Sequence, residues 1–319
     1  MQVLLTGASG FVGRAVQARL LAESAHTLRS AMRQLPVDVP ADLHVCIAPT
    51  LGASADWRSA LSGIEVVVHC AARVHVMSEE APDPLAEFRR ANVEGTLCLA
   101  RQAVEAGVRR FVFVSSIKVN GESTSPGRPY CAESTPEPMD PYGISKLEAE
   151  EGLRALAKET GLEVVIVRPP LVYGPGVKAN FLSMMRWLSK GVPLPLGATC
   201  NSRSLVALDN LVDLIATCIE HPSAANQTFL VSDGEDLSTT ELLRRMAFAL
   251  GKSAWLLPVP VRLLEAGAGL LGKRALAQRL CGSLEVDISK TQELLNWSPP
   301  IGVDEALRRT AESFWKHQS

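Results

Sequence analysis

The sequence lacks the features that mark several specialised protein classes. Its 319 residues carry a formal net charge of −2 and contain no basic block. Nucleic-acid-binding proteins usually concentrate basic side chains on one face, so we expect no nucleic-acid partner. The most apolar late stretch, residues 255–271, is interrupted by Pro258, Pro260, Arg262 and Glu265. A membrane helix needs about 20 mostly apolar residues, so we expect no membrane span.

Closely spaced cysteines are also missing. The seven cysteines are scattered and include no C-x-x-C pair. His69 and His75 have no further ligand-type residues at the spacing that a metal site needs. The N-terminus has no basic segment before its short apolar run, unlike a secretory signal. The sequence therefore predicts a cytoplasmic protein with reduced thiols and no metal site.

What the chain does contain is a regular alternation of short apolar runs and helical patterns in its first half. Nearly continuous apolar runs are typical of parallel strands covered on both faces. Strand–helix alternation predicts an α/β protein with a Rossmann-type doubly wound parallel sheet. The predicted strands are residues 2–6, 27–32, 43–47, 65–70, 111–115 and 163–168.

The pattern changes near residue 170, where segments rich in proline and glycine separate shorter helices. We therefore expect two units. A nucleotide-binding Rossmann domain would comprise residues 1–170 and part of 200–235. A smaller C-terminal substrate-binding lobe would comprise residues 171–199 and 236–319. In such folds, ligands bind at the carboxyl ends of the strands.

A glycine-rich turn joins the first predicted strand to the first predicted helix. Gly7 allows a tight turn, Gly10 lets the backbone approach a pyrophosphate, and Gly13 lets the helix pack against the strand. The helix N-terminus then offers its N–H groups to the phosphates. The turn predicts a dinucleotide site, whose other members are Ser9, Phe11 and Val12.

The choice between NAD and NADP depends on the end of the second strand. NAD-binding folds carry an acid about 20 residues after the glycines, which accepts the ribose 2′-OH. Here Arg33 holds that place, and residues 27–34 contain no acid. An arginine can pair with a 2′-phosphate, so the sequence favours NADP, with NAD as the alternative.

Residues 140–146 predict the start of a helix. Asp140 suits the N-cap and Pro141 the first helical position. Tyr142 and Lys146 then lie on one face, four residues apart. A nearby ammonium favours the phenolate and lowers the pKa of a tyrosine. The pair is thus predicted to perform acid–base catalysis.

The segments TGASGFVG, VVHCAA, NVEGT, VSSIKV, PYGISK and VRPPLVYGPG resemble the extended short-chain dehydrogenases/reductases. Within that group, the chain resembles the NAD-dependent epimerase/dehydratase family nearly end to end. The resemblance implies that Tyr142 is the general acid/base, that Lys146 tunes it and bonds the nicotinamide ribose, and that Ser116 holds the substrate oxygen. The other cofactor contacts that it implies are Cys70, Ala71, Ala72, Asn92, Ser115 and Pro169. For Asn92, a role in a proton relay and a satisfied core amide are the alternatives.

The resemblance also implies a nucleotide-sugar substrate. Arg203 matches an arginine that pairs with the diphosphate, and Asn180 matches a position that meets the diphosphate or the uracil. A structural salt bridge and a loop amide are the respective alternatives. His75 and Arg279 are weaker substrate candidates. Leu171 stands where many family members carry an asparagine, and Pro49 where many carry an acid near the adenine.

The expected activity is NAD(P)H-dependent reduction of the 4-keto group of a UDP-4-keto-6-deoxy-N-acetylhexosamine, in O-antigen or capsule synthesis. The alternative is a UDP-sugar 4-epimerase that retains NAD, because the same trio serves both reactions. Arg33 and Leu171 favour the reductase. Ile117 and Lys118 occupy the positions of the Asp–Glu pair of the 4,6-dehydratases, which argues against dehydration.

Two further functions are less favoured. Arg203 and Asn180 argue against a reductase of non-sugar ketones. The presence of both Tyr142 and Lys146 argues against a non-catalytic NAD(P)-sensing protein. The resemblance also implies a homodimer that packs through the helices at 85–106 and 142–160.

Overall fold

The computed structural model describes residues 1–23, 25–34, 44–74, 82–125, 127–270, 278 and 280–317. Seven strands form its main sheet: β1 Gln2–Thr6, β2 Thr27–Met32, β3 His44–Ile47, β4 Val66–His69, β5 Arg110–Val114, β6 Glu163–Arg168 and β9 Thr228–Leu230. All neighbours are parallel, in the order β3-β2-β1-β4-β5-β6-β9. The predicted Rossmann-type parallel sheet is confirmed, and the six predicted strands agree with the observed ones to within one residue over the described range.

Helices cover both faces of this sheet. In the first half they are α1 Phe11–Ala22, α2 Arg58–Leu61, α3 Pro84–Phe88, α4 Gly95–Glu105 and α5 Pro141–Thr160. A π-helical segment, Arg89–Glu94, joins α3 to α4, and a 3₁₀ turn, Ile117–Val119, follows β5.

Alternate residues of the strands enter two different cores. Val3 and Leu5 of β1 pack with Leu20 of α1 on one face, whereas Leu4 packs with Leu99 of α4 on the other. Each strand is therefore apolar on both sides, because both sides are covered. This is why the strands read as continuous apolar runs in the sequence.

The second half adds a small three-stranded sheet of β7 Leu171–Tyr173, β8 Arg203–Ala207 and β10 Asp236–Leu237, in the order β10-β8-β7. Its helices are α6 Ala179–Ser189, α7 Leu208–Glu220, α8 Thr239–Ala249, α9 Val261–Leu270, α10 Ser289–Leu295 and α11 Val303–Lys316. Helix α7 packs beside α1 on the main sheet. Helices α6, α8 and α11 share a third core with β8.

The second half therefore contributes both to the main sheet, through β9, and to a separate core. The division into a cofactor domain and a substrate lobe remains a prediction about what each part binds. No helix within the described ranges combines the length and apolar character that crossing a bilayer requires.

Candidate active site

The glycine-rich turn after β1 is built by very close backbone approach. Gly7 has a φ of 70°, and a Cβ there would lie 2.7 Å from the backbone nitrogen of Ala71. A Cβ on Gly13 would lie 2.1 Å from the Gly7 carbonyl oxygen. The Gly10 N–H donates to that same carbonyl at 2.8 Å. Only glycine permits this packing of β1, α1 and the end of β4.

The turn is suited to bind a pyrophosphate. Helix α1 begins directly after Gly10, and no side chain caps its N-terminus. The first N–H groups of a helix lack partners within it and attract anions. A cavity of about 640 Å³ opens beside Ser9 and Gly10 and runs between α1 and α7, where Asp209 and Asp213 line it. The glycine turn and the uncapped helix start, rather than this cavity, fit the diphosphate of a dinucleotide.

A buried histidine lies next to this turn. His69, at the end of β4, lies between two hydroxyls, with Nδ1 2.6 Å from Thr6 Oγ1 and Nε2 3.1 Å from Thr96 Oγ1. Its ring stacks on Phe113. Burial, and secondarily Lys146, lowers the pKa of His69 to about 3. The ring is therefore neutral and structural, with no metal ligand role visible in the described residues.

Tyr142 lies in the first turn of α5, where Asp140 caps the helix through a 2.7 Å bond from the Gly143 N–H. The predicted N-cap and first-turn proline are thus confirmed. The Ser116 side chain, two residues beyond β5, lies close enough to the phenol to lower its pKa. The Tyr142 ring meets Phe88 edge-on, with 6.1 Å between the ring centres. The fold therefore brings together the hydroxyls of Ser116 and Tyr142, which are far apart in sequence.

Lys146 lies one helical turn beyond Tyr142 and is buried. Its Nζ donates to the Val114 carbonyl at 2.9 Å and sits 4.4 Å from the centre of the Phe113 ring. Burial lowers its pKa to about 8, and the neighbouring Cys70 and Glu150 act in the opposite direction. Its proton is therefore more easily released than that of an exposed lysine.

One electrostatic expectation does not hold in this arrangement. Lys146 was expected to lower the pKa of Tyr142, but Nζ lies 5.9 Å from the centre of the Tyr142 ring. Burial raises the pKa of Tyr142 above its usual value, and the charge of Asp140 raises it further, while the nearby Ser116 side chain opposes them. The desolvation of the phenol outweighs an ammonium at this distance. In this arrangement the phenol of Tyr142 holds its proton more tightly than an exposed tyrosine does.

Asn92 lies in the π-helical segment and is buried. Its Oδ1 accepts from the Arg73 N–H at 2.8 Å, and its Nδ2 donates to the Arg73 carbonyl and the Ser145 hydroxyl, both at 3.0 Å. Ser145 in turn donates to the Tyr142 carbonyl at 2.8 Å. The amide thus ties the loop after β4 to the first turn of α5. Its roles in cofactor binding and in a proton relay stay predictions.

Ser115 and Ser116 point to different places. The Ser115 hydroxyl donates to Glu150 Oε1 at 2.6 Å inside the protein. Glu150 also accepts two bonds from Arg168, at 2.9 and 2.5 Å. The Ser115 hydroxyl therefore bonds to the buried ion pair of Glu150 and Arg168. This leaves the backbone of Ser115 for the cofactor contact expected of it. Sequence reasoning missed this ion pair, because Glu150 lies in α5 and Arg168 in β6.

The structure places the other candidates as follows. Cys70 and Ala71 lie against Gly7, and Ala72 continues that segment. The Pro169 carbonyl accepts from the Ile117 N–H at 2.9 Å, next to Ser116. Arg33 is exposed beyond the end of β2, and Asn180 is exposed in the first turn of α6. His75 and Arg279 lie outside the described residues.

Arg203 begins β8 and is partly buried. Its Nη1 donates to the Gly282 carbonyl at 2.9 Å. The contact links the small sheet to the segment that precedes α10. The side chain therefore has a structural contact in addition to the substrate role expected of it.

The chain is similar to known proteins in sequence and in fold. The family model described as "NAD dependent epimerase/dehydratase family" matches residues 3–232. A protein of Vibrio cholerae named UDP-glucose 4-epimerase is 51% identical over 313 residues, which are 98% of this chain and 95% of that protein.

Two solved structures show the same fold over the whole of both chains. UDP-glucuronic acid 4-epimerase from Bacillus cereus, in complex with NAD, has a TM-score of 0.81 and 20% identity. UDP-glucose 4-epimerase from Thermotoga maritima, with UDP-glucose, has a TM-score of 0.80 and 22% identity. At these identities the two structures establish the fold alone.

Proposed function

We propose that the chain, which belongs to the NAD-dependent epimerase/dehydratase family, is a UDP-sugar 4-epimerase that retains NAD throughout turnover. The observation that carries this proposal is the 51% identity, over 98% of the chain, to a relative named UDP-glucose 4-epimerase. It reverses the order of the two activities expected from the sequence, where Arg33 and Leu171 favoured a 4-ketoreductase. The preference for NADP remains a prediction.

The arrangement of Ser116, Tyr142 and Lys146 supports a redox step at a sugar carbinol. The nicotinamide of a bound NAD supplies a hydride acceptor and donor. Tyr142 would take the proton from the C4 hydroxyl during oxidation and return it during reduction. Ser116, which lies near the phenol, would hold the same oxygen. Burial keeps the pKa of Tyr142 raised in spite of Lys146. The phenolate that the first step needs would therefore form with the help of a further positive charge, which the oxidised nicotinamide would supply.

Epimerisation further requires that the 4-keto sugar present its other face before it is reduced. The oxidation and the reduction together consume no reducing equivalent, so the bound cofactor need not exchange with free cofactor. We propose that Arg203, and Asn180 at the start of α6, hold the diphosphate while the sugar turns.

The deciding experiment incubates the purified protein with UDP-glucose and with UDP-N-acetylglucosamine, and follows the configuration at C4 by NMR. We expect conversion to the galacto isomer without net oxidation or reduction of NAD(P)(H). Tyr142→Phe should abolish turnover while NAD still binds. Tyr130→Phe is the matched control, because that phenol donates to the Ser123 carbonyl.

The 4-ketoreductase is the second candidate. Leu171 favours it, since an exposed apolar side chain begins β7 where epimerases commonly carry an asparagine. Stoichiometric loss of NADPH or NADH with a UDP-4-keto-6-deoxy-N-acetylhexosamine, together with no change at C4 of the UDP-hexoses, would overturn the epimerase proposal. Full activity of Tyr142→Phe would overturn the mechanism for both candidates.

A further inference from the structure

Lys118 makes a contact that neither candidate reaction uses directly. It lies two residues after Ser116, in the 3₁₀ turn Ile117–Val119. Its ammonium forms an ion pair with Asp140, the residue that caps α5, and a second with Glu122 at 2.8 Å. Both partners are acids, so the lysine is held by charge from two sides.

We propose that Lys118 is a positioning residue for Tyr142, which it fixes relative to Ser116 by tying the N-cap of α5 to the turn after β5. The proposal rests on the proposed role of Tyr142 as the acid/base. Lys118 itself needs no contact with the substrate. It replaces the carboxyl group that a dehydratase would carry at this position, and its side chain is directed to α5.

The backbone around Lys118 already places the two segments in contact. A Cβ on Gly143 would lie 2.8 Å from the Lys118 carbonyl oxygen. The Glu137 N–H donates to the Val119 carbonyl at 3.1 Å. The Lys118–Asp140 ion pair joins the same two segments through their side chains. The other oxygen of Asp140 accepts from the Gly143 N–H at 2.7 Å. A shift of Asp140 would therefore move the helical turn that carries Tyr142.

The ion pair also affects the charge that Tyr142 experiences. Asp140 is the nearby charge that raises the pKa of Tyr142. Among the described residues, Lys146 on the same helix and Arg73, which lies over the Phe88 ring, also carry charge near Tyr142. The ammonium of Lys118 partly neutralises Asp140, so its removal exposes the phenol to a stronger negative field.

Farther along α5, Arg89 of the π-helical segment pairs with Glu148, so that these two charges are already matched. On these grounds Asp140 is the carboxylate whose neutralisation matters most for Tyr142. Lys118 is the cation in contact with it.

The test compares the holoenzymes of Lys118→Met, Lys118→Arg and the double variant Lys118→Met/Asp140→Asn. Lys290→Met is the matched control, because Lys290 pairs with Glu133 at 2.8 Å and its side chain is 28% exposed, against 26% for Lys118. The readouts are the pH profile of kcat, the KM, and hydrogen exchange of the first turn of α5.

In Lys118→Met we expect the apparent pKa that Tyr142 contributes to the pH profile of kcat to rise by about one unit. This rise lowers kcat about tenfold at pH 7. KM should stay unchanged. Amides of the first turn of α5 should exchange faster, because the cap is less firmly held. Lys118→Arg should restore the profile, and Lys290→Met should behave as wild type.

Asp140→Asn in the Lys118→Met background should return this apparent pKa toward its wild-type value. Asparagine still caps a helix but carries no charge. The proposal is overturned if Lys118→Met lowers kcat without moving this apparent pKa, or if it leaves both kcat and exchange as in Lys290→Met. Hydrogen exchange needs no substrate, so it decides the positioning even where the wild-type protein epimerises nothing.

Discussion

The contribution of the buried ion pair of Arg168 and Glu150 to stability can be tested by removing one partner. The Arg168 side chain is 2% exposed and that of Glu150 is fully buried. Arg168 also donates to Asn120 Oδ1 at 3.0 Å. Replacing Arg168 with methionine keeps much of the volume but leaves the Glu150 carboxylate without its main partner. Removal of one member of a buried ion pair typically costs about 3–5 kcal/mol.

The expected cost here lies at the low end of that range. Two groups still donate to Glu150 in the variant, the Ser115 hydroxyl and the guanidinium of Arg154, which is 39% exposed. We therefore expect Arg168→Met to lower the free energy of unfolding by about 3 kcal/mol. Urea unfolding followed by circular dichroism measures this change.

The matched control is Arg245→Met. Arg245 pairs with Glu235, Glu241 and Asp304 near the surface. It has more acidic partners than Arg168, yet solvated pairs contribute only about 0–1 kcal/mol.

A second variant tests the cause of the loss. Glu150→Gln in the Arg168→Met background removes the buried charge and should recover about 1–2 kcal/mol of the loss. The reasoning is refuted if Arg168→Met costs no more than Arg245→Met, or if the double variant is no more stable than the single one.

Two other predictions concern the cofactor turn and the buried lysine. Gly13→Ala should weaken NAD binding by at least about tenfold, since a Cβ 2.1 Å from the Gly7 carbonyl forces the turn apart. Calorimetric titration measures the affinity for NAD. The control is Gly52→Ala, whose Cβ meets nothing within 4 Å and which should bind NAD as the wild type does. Equal affinity of the two variants would contradict the assignment of the turn. Lys146 holds its proton less tightly in the folded protein, with a pKa of about 8 against 10.5 when exposed, so its charge destabilises the fold below pH 8 and this penalty fades as the pH rises toward 10.5. Lys146→Met should therefore be more stable than wild type at pH 7, by up to about 3 kcal/mol, and the difference should shrink by pH 10; a difference that does not depend on pH would count against the buried charge.

The sequence was most informative where local rules decide the structure. The strand ends, the glycine turn and the start of α5 at Asp140 and Pro141 depend on residues next to one another. A strand buried on both faces is apolar throughout, and a capped helix start has its own residue preferences. These features could be predicted because their causes lie within a few residues.

The electrostatics of the site could not be predicted in this way. The sequence put a lysine on the same helical face as Tyr142 and suggested a lowered pKa. The pKa is raised, because burial of the phenol and the nearby charge of Asp140 act against a lysine whose ammonium is bonded to the Val114 carbonyl. Desolvation depends on every atom around a group, including those from distant segments.

The amino-acid sequence by itself determined the class of fold, the dinucleotide turn and the types of residue at the candidate site. Only the tertiary structure decided which of these side chains face one another. Ser116 lies near Tyr142, the Ser115 hydroxyl donates to Glu150, and the Lys118 ammonium pairs with Asp140. The physical reason is that strand and helix patterns are set by neighbours along the chain. Hydrogen bonds and ion pairs are set by distances in space, which exist only after the strands have been ordered into a sheet.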